Sequence, residues 1–141
     1  MPYKHVLAIY DGTQRSEDVL DMICRIVRPH QTQLTMLIVK LVPLAQELPT
    51  YTPGADAEVD GLVQRTEKLV RELKVNAATS VRYVRALGPT IISEARLHAV
   101  DLVALAVPDL ERLTSDQTEH TDLRLVLRQV SCAVMLLRPS R

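Results

Sequence analysis

Short continuous apolar runs alternate along the chain with longer stretches in which apolar residues recur every three or four positions, as buried strands separated by amphipathic helices do. His5–Tyr10 is the first run, closed by the turn signal Asp11-Gly12. From Ser16 to Arg28 the residues Val19, Leu20, Ile23, Ile26 and Val27 keep helical spacing. Ser16 suits the cap of that helix, Glu17 and Asp18 suit its positive end, and Pro29 stops it. Leu34–Val42 is the second run, limited by Pro43. Leu44 to Asp60, with Pro49, Pro53, Gly54 and little periodicity, reads as a long surface loop.

Leu62, Val63, Leu69, Val70 and Leu73 then mark a second helix. Val81–Ala86 alternates like an edge strand, and Gly88-Pro89-Thr90 breaks it and starts a helix carrying Ile91, Ile92 and Ala95. Asp101–Val107 is the fourth strand. Thr118 or Thr121 suits the cap of a helix bearing Leu123, Val126, Leu127 and Val130, and Ala133–Leu137 is the fifth strand. Strands alternating with helices predict parallel pairing with helices on both faces, a doubly wound α/β fold, and residues 1–141 suit one domain.

Composition narrows the partners. There is no Phe and no Trp, so the core must be filled by aliphatic residues and there are few rings on which bases would stack. Seventeen basic and seventeen acidic residues cancel, which removes the counterion-release term that drives nucleic-acid binding. No stretch reaches the roughly 18 apolar residues of a membrane helix. Met1-Pro2-Tyr3-Lys4-His5 lacks the apolar run of a signal peptide. Cys24 and Cys132 lie far apart and form no CxxC pair, so a reducing cytoplasm is expected, without disulfide or zinc.

The exit of the fourth strand changes the picture most. A nucleotide-binding α/β domain places its phosphate loop there, yet the residues are Pro108-Asp109-Leu110-Glu111-Arg112, and no glycine follows Gly88. Asp109, Glu111, Asp116, Glu119 and Asp122 face a single Arg112 in this segment. The acids lack the alternation and glycine of a calcium loop and read as a solvated surface; no metal site is expected.

Tyr3 to Thr13 with Ser16-Glu17, then Leu87-Gly88-Pro89 with Ile91-Ile92, then Asp101-Leu102-Val103, and finally Ser131 to Arg138 together resemble the universal stress proteins over essentially the whole chain. The resemblance implies strand order 3-2-1-4-5 and dimers built by pairing strand five, here Ala133, Val134, Met135, Leu136 and Leu137. It also implies a division into members that bind ATP and members that do not. Binders carry a Gly-x2-Gly-x9-Gly-Ser/Thr pattern after strand four. In this chain the glycine positions fall on Ala106, Asp109 and His120, with Thr121 keeping the hydroxyl and the spacing one residue too long.

The chemistry of that loss is specific. Glycine lets a phosphate loop present its N–H groups to the anion. Asp109 instead adds a negative charge; at roughly 4–5 Å from a phosphate, with an effective dielectric of about 20, the repulsion is several kcal/mol. That is a large share of the ~8 kcal/mol that a micromolar complex gains.

Candidate site residues follow from the resemblance, each beside a plainer reading. Asp11, at the carboxyl end of strand one, matches a residue on the nucleoside side of the pocket, and it equally suits a turn in which its carboxylate accepts from Thr13 or Gln14. Ile9 and Val39 match positions lining the adenine, and both also suit the core. Thr121 matches a phosphate contact or a helix cap. His98 sits late in a helix, where it meets the negative end of the dipole, and both cysteines read as inert thiols.

No nucleophile elbow, zinc-protease motif or P-loop lysine occurs, so no catalytic residue and no cofactor is expected. The sequence therefore predicts a non-catalytic stress-type domain, a homodimer through its last strand, acting on an unidentified protein partner. The alternatives are a sensor of AMP or a cyclic dinucleotide, or a regulatory domain associated with a transporter or kinase.

Overall fold

In the computed structural model, residues 3–107 and 117–140 are described, the side chains of 117–121 excepted. Within them the strands are β1 (His5–Tyr10), β2 (Gln33–Leu41), β3 (Ala77–Val84), β4 (Leu102–Ala106) and β5 (Ala133–Leu137). The helices are α1 (Gln14–Val27), α2 (Ala57–Glu72), α3 (Leu87–Leu97) and α4 (Gln117–Gln129). All strand pairs are parallel, in the order β3-β2-β1-β4-β5, as the sequence implies. No described helix is long and apolar enough to cross a membrane.

The two-residue period of the strands divides the core. Val6, Ala8 and Tyr10 of β1, with Leu34, Met36 and Ile38 of β2, meet Val19, Leu20, Ile23 and Val27 of α1 and Leu62 and Val70 of α2. Leu7 of β1, Leu37 and Val39 of β2 and Val103 and Leu105 of β4 point the other way, toward Ile91 and Ala95 of α3 and Val126 of α4. The central strands are buried on both faces, which is why they read as unbroken apolar runs.

Polar side chains fix the joints between these layers. At the start of the sheet, Asp101 accepts from the N–H groups of Lys4 (2.8 Å) and His5 (3.0 Å), holding β4 against β1. Glu94 of α3, 3% exposed, accepts from Arg82 Nε (2.5 Å) and Ser80 Oγ (3.3 Å) of β3 and is bonded to His98 Nε2 (2.7 Å). A carboxylate buried this deeply needs such partners to offset lost hydration. His98 thus acts on a buried carboxylate one turn back as well as standing at the helix end.

Several boundaries differ from those read in the sequence. α1 is capped by Thr13, whose hydroxyl accepts from Ser16 N–H, so Ser16 lies inside the first turn. The loop after β2 ends at Asp56, which caps α2, and residues 57–60 are helical. β3 starts four residues before Val81 and ends at Val84, because pairing with the full length of β2 overrides the weak strand propensity of Ala77-Ala78-Thr79-Ser80. β2 and β4 each shift or shorten by a residue at their ends. α3 begins at Leu87, one residue before Gly88.

α4 begins at Gln117, so Thr118 and Thr121 lie within the helix and neither caps it. Asp122, read above as part of a solvated acidic surface, is half-buried and accepts from the N–H of Gly88 at 2.9 Å. The remaining acids of that segment, Asp109, Glu111, Asp116 and Glu119, lie outside the described residues or side chains.

At Gly88, α3 lies close against the backbone of α4. A Cβ there would stand 2.9 Å from Asp122 Oδ1 and 3.2 Å from Asp122 Cα. Gly88→Ala is expected to push the helices apart and to lower unfolding free energy in urea by about 1–3 kcal/mol. A variant of unchanged stability would show that this contact relaxes freely.

Candidate functional site

Sequence order reverses direction in the sheet between β1 and β4, and at the carboxyl ends of those two strands a pocket opens. Its volume is about 120 Å³. Ile9 of β1 and Leu105 and Ala106 of β4 form the floor, and Leu87 and Ile91 of α3 with Leu123 and Val126 of α4 form an apolar wall. The polar rim is Asp11, Thr13, Arg15 and Ser16 on one side and Asp122 on the other.

The Asp11 rim is built by a turn. Gly12, at φ +86°, takes the left-handed conformation that the turn between β1 and α1 requires. Asp11 Oδ1 then accepts from both the N–H (3.0 Å) and the hydroxyl (2.6 Å) of Thr13. Thr13 in turn accepts Ser16 N–H at 3.2 Å, while Ser16 donates its hydroxyl to Thr13 C=O at 3.0 Å. Burial raises the Asp11 carboxyl, but the hydrogen bonds from Thr13 and Ser16 and the charge of Arg15 outweigh it, leaving it below the usual carboxylate range. Arg15 Nη1 approaches the C=O of Val107 at 3.5 Å, tying α1 to the exit of β4.

The opposite rim is built by α4. The first N–H groups of a helix lack intrahelical partners and make its N-terminus attractive to anions. At α3 this opportunity is largely used up: Gly88 N–H donates to Asp122, and Pro89 has no N–H to offer. At α4, Thr121 is the fifth residue of the helix, past the four unpaired N–H groups.

Of the candidate residues, Ile9, Asp11 and Ala106 come together in this pocket. Val39 does not line it; it is 6% exposed within the core facing α3 and α4. The side chain of Thr121 lies outside the described ones. Sequence reasoning passed over Arg15, Leu87, Ile91 and Asp122 as pocket residues. The signal for Asp122 was Gly88, whose missing side chain makes room for it.

Neither thiol is poised for chemistry. Burial pushes Cys24 up to about 12, and burial also raises Cys132, which is half-buried at the entry to β5. Among the described residues no group of three or more His, Cys, Asp or Glu side chains is placed to hold a metal.

An open, parallel sheet with helices on both faces and a pocket at its switch point defines the doubly wound α/β class. Residues 2–138 match the model of the universal stress protein family, and the chain belongs to that family. It is similar in fold to the universal stress protein UspA from Lactobacillus plantarum, at 20% identity and TM-score 0.67, covering 98% of this chain and 99% of that one. A universal stress protein in complex with cAMP matches at 15% identity and TM-score 0.72, with 98% of each chain covered. A family protein from Arabidopsis thaliana with AMP bound matches at 12% identity and TM-score 0.64, covering 97% of this chain and 92% of that one. Among curated proteins no significant match is found.

Because the Asp11 carboxyl titrates lower in the folded chain than unfolded, its contribution is present above the unfolded value of 3.8 and is lost as pH falls through the folded one. Asp11→Asn is therefore expected to lower stability at neutral pH and to flatten the acid limb of a denaturation series below pH ~4. Parallel acid limbs in both proteins would remove the carboxylate from this turn's energetics.

Proposed function

We propose that this universal stress protein is a non-catalytic regulatory module of the cytoplasm that does not hold ATP at its switch-point pocket. On this reading it works as a homodimer through contacts with protein partners. One observation carries the reading: at the head of α3 the Gly88 N–H is already engaged by the carboxylate of Asp122, and Pro89 has no N–H to offer. Asp11 and Asp122 set two carboxylates on opposite rims, against the single guanidinium of Arg15 among the lining residues. A phosphate group entering there would displace Asp122 and leave a carboxylate unpaired, or remain beside it and be repelled. The volume of about 120 Å³ also falls below the ~300–1,000 Å³ of pockets that enclose drug-sized ligands.

The test is a thermal-shift screen of the purified chain against ATP, ADP, AMP, adenosine and cyclic nucleotides, with and without Mg²⁺. A ligand at one hundred times its Kd adds roughly 2.7 kcal/mol, a plainly visible rise in Tm. No shift with ATP is expected; a saturable one contradicts the reading.

A second reading rests on the apolar wall of Leu87, Ile91, Leu123 and Val126 beside Asp11. That wall suits a nucleoside with few or no phosphates, and two of the similar structures are described as holding cAMP and AMP. Saturable shifts with adenosine, AMP or a cyclic nucleotide, and none with ATP, would favour this sensor over the empty module.

The dimer element is β5. Its outer edge has no strand partner among the described residues, and Leu136 is 43% exposed on it. An open apolar edge invites pairing with a second copy, as the family resemblance implies. Val134→Lys and Leu136→Lys are each expected to weaken the dimer in sedimentation equilibrium. An unchanged dimer in both would move the interface elsewhere.

A further inference from the structure

The opposite edge of the sheet carries a second, unrelated opening. It is a groove of about 830 Å³, walled by Tyr51, Pro53 and Gly54 of the loop after β2, by Val63, Gln64 and Glu67 of α2, and by residues 79–82 of β3. Among the described residues strand β3 pairs only with β2. Leu34 N–H donates to Asn76 C=O and Val42 N–H to Val84 C=O, so the even-numbered residues of β3 spend their backbone groups on β2. The odd-numbered ones, Thr79 and Val81 among them, turn their N–H and C=O outward, into the groove. Among the described residues none of these outward groups has a backbone partner; the C=O of Val81 accepts from Arg82 Nη1 at 3.3 Å, and no bond to the Thr79 backbone or to Val81 N–H is found on this side.

The loop wall is held off the edge. Asp60 of α2 accepts from the Tyr51 hydroxyl and from Gly54 N–H (3.1 Å), which fastens the loop to the helix and leaves the strand uncovered. The same bond to Asp60 pushes the Tyr51 phenol up to about 12, keeping it a donor. Charge in the groove is uneven. Arg82 is spent on buried Glu94, and Asp60 and exposed Glu67 leave the groove acidic.

We infer that this groove takes an extended segment of a protein partner as an added strand on β3, with a lysine or arginine side chain directed to Glu67 and Asp60. Backbone bonds to Thr79 and to the N–H of Val81 supply the affinity, and the carboxylates and the apolar side chain of Val63 choose the sequence. Edge strands are templates for this kind of pairing unless blocked, and the carboxylates beside β3 limit it to a partner that also satisfies the charge. The groove shares no residue with the switch-point pocket and lies across the sheet from β5, so it stands or falls apart from the nucleotide screen and the β5 dimer.

The test is an NMR titration of the full ¹⁵N-labelled chain with a short capped peptide of alternating valine and lysine. The controls are its valine–glutamate counterpart and two versions of the lysine peptide, N-methylated on one or the other alternate set of peptide nitrogens. Saturable shifts at Thr79, Val81 and Glu67 are expected with the lysine peptide. One methylated version should bind roughly tenfold more weakly, because its donors to β3 are gone, and the other should bind unchanged. Glu67→Lys should weaken the lysine peptide a few-fold and favour the glutamate one. Val81→Pro, at an outward N–H that an edge strand can give up, should abolish binding. Should that variant not fold, the methylated peptides and Glu67→Lys decide the matter.

Absence of binding, equal binding by both methylated versions, or a glutamate peptide binding the unaltered chain as tightly as the lysine one would each overturn the inference. Concentration-dependent self-association that Val81→Pro removes would give the groove to a second copy and overturn it as well.

Discussion

The hydrogen bond from Gly88 N–H to Asp122 governs how α3 and α4 meet, and through them the shape of the switch-point pocket. It requires a residue without a side chain at position 88, since a Cβ would collide with the carboxylate and with the backbone of α4. In return the two helices pack closely over Leu7 and Val103 of the sheet, and the head of α3 acquires an anion supplied by the chain itself. A helix N-terminus attracts negative charge whatever its source. Here an internal carboxylate stands where a ligand's phosphate would otherwise profit from the same donors.

Beyond that joint, the two free edges of the sheet have opposite chemistry. β5 ends the sheet with Ala133, Val134, Met135, Leu136 and Leu137, an edge that gains by excluding water. β3 ends it with small and polar residues beside carboxylates, an edge whose gain lies in directional backbone bonds. The segment before α2 is fastened by Asp56, which caps the helix and also accepts from Lys40 (3.0 Å) and Tyr83 (2.9 Å). Tyr83 and Lys40 lie on β3 and β2, so this one carboxylate joins the loop, the helix and the edge of the sheet. An α/β domain with two such edges has room for a like partner at one and an unlike partner at the other.

Much of this architecture could be read from the chain. Central strands buried on both faces leave unbroken apolar runs, so β1, β2, β4 and β5 were recognisable to within a residue or so. Strand order followed from family resemblance, which local patterning cannot supply. β3 was truncated in the reading because Ala77-Ala78-Thr79-Ser80 has little strand character; only pairing with β2 makes it a strand. The cap of α1 was misplaced because Thr13 and Ser16 both suit the role, and the choice rests on the turn that Asp11 and Gly12 impose. At the pocket, Ile9, Asp11 and Ala106 were named through the family resemblance, and they lie at the carboxyl ends of β1 and β4 that line the opening. Asp122 was missed as a site residue because its role depends on a helix thirty-odd residues away in sequence, and an acid among acids looks like surface.

The account turns on whether the donors around the pocket are available to a phosphate. The most direct measurement follows the backbone amides of Gly88, Ala106 and Thr121 by NMR while Mg²⁺-ATP is raised to millimolar concentration. If Asp122 holds the head of α3 and Thr121 lies inside α4, none of the three resonances moves in a saturable way. A saturable shift at Gly88 or Thr121 would mean that the phosphates reach donors assigned here to the protein itself, and the proposed ATP-independent role would be wrong.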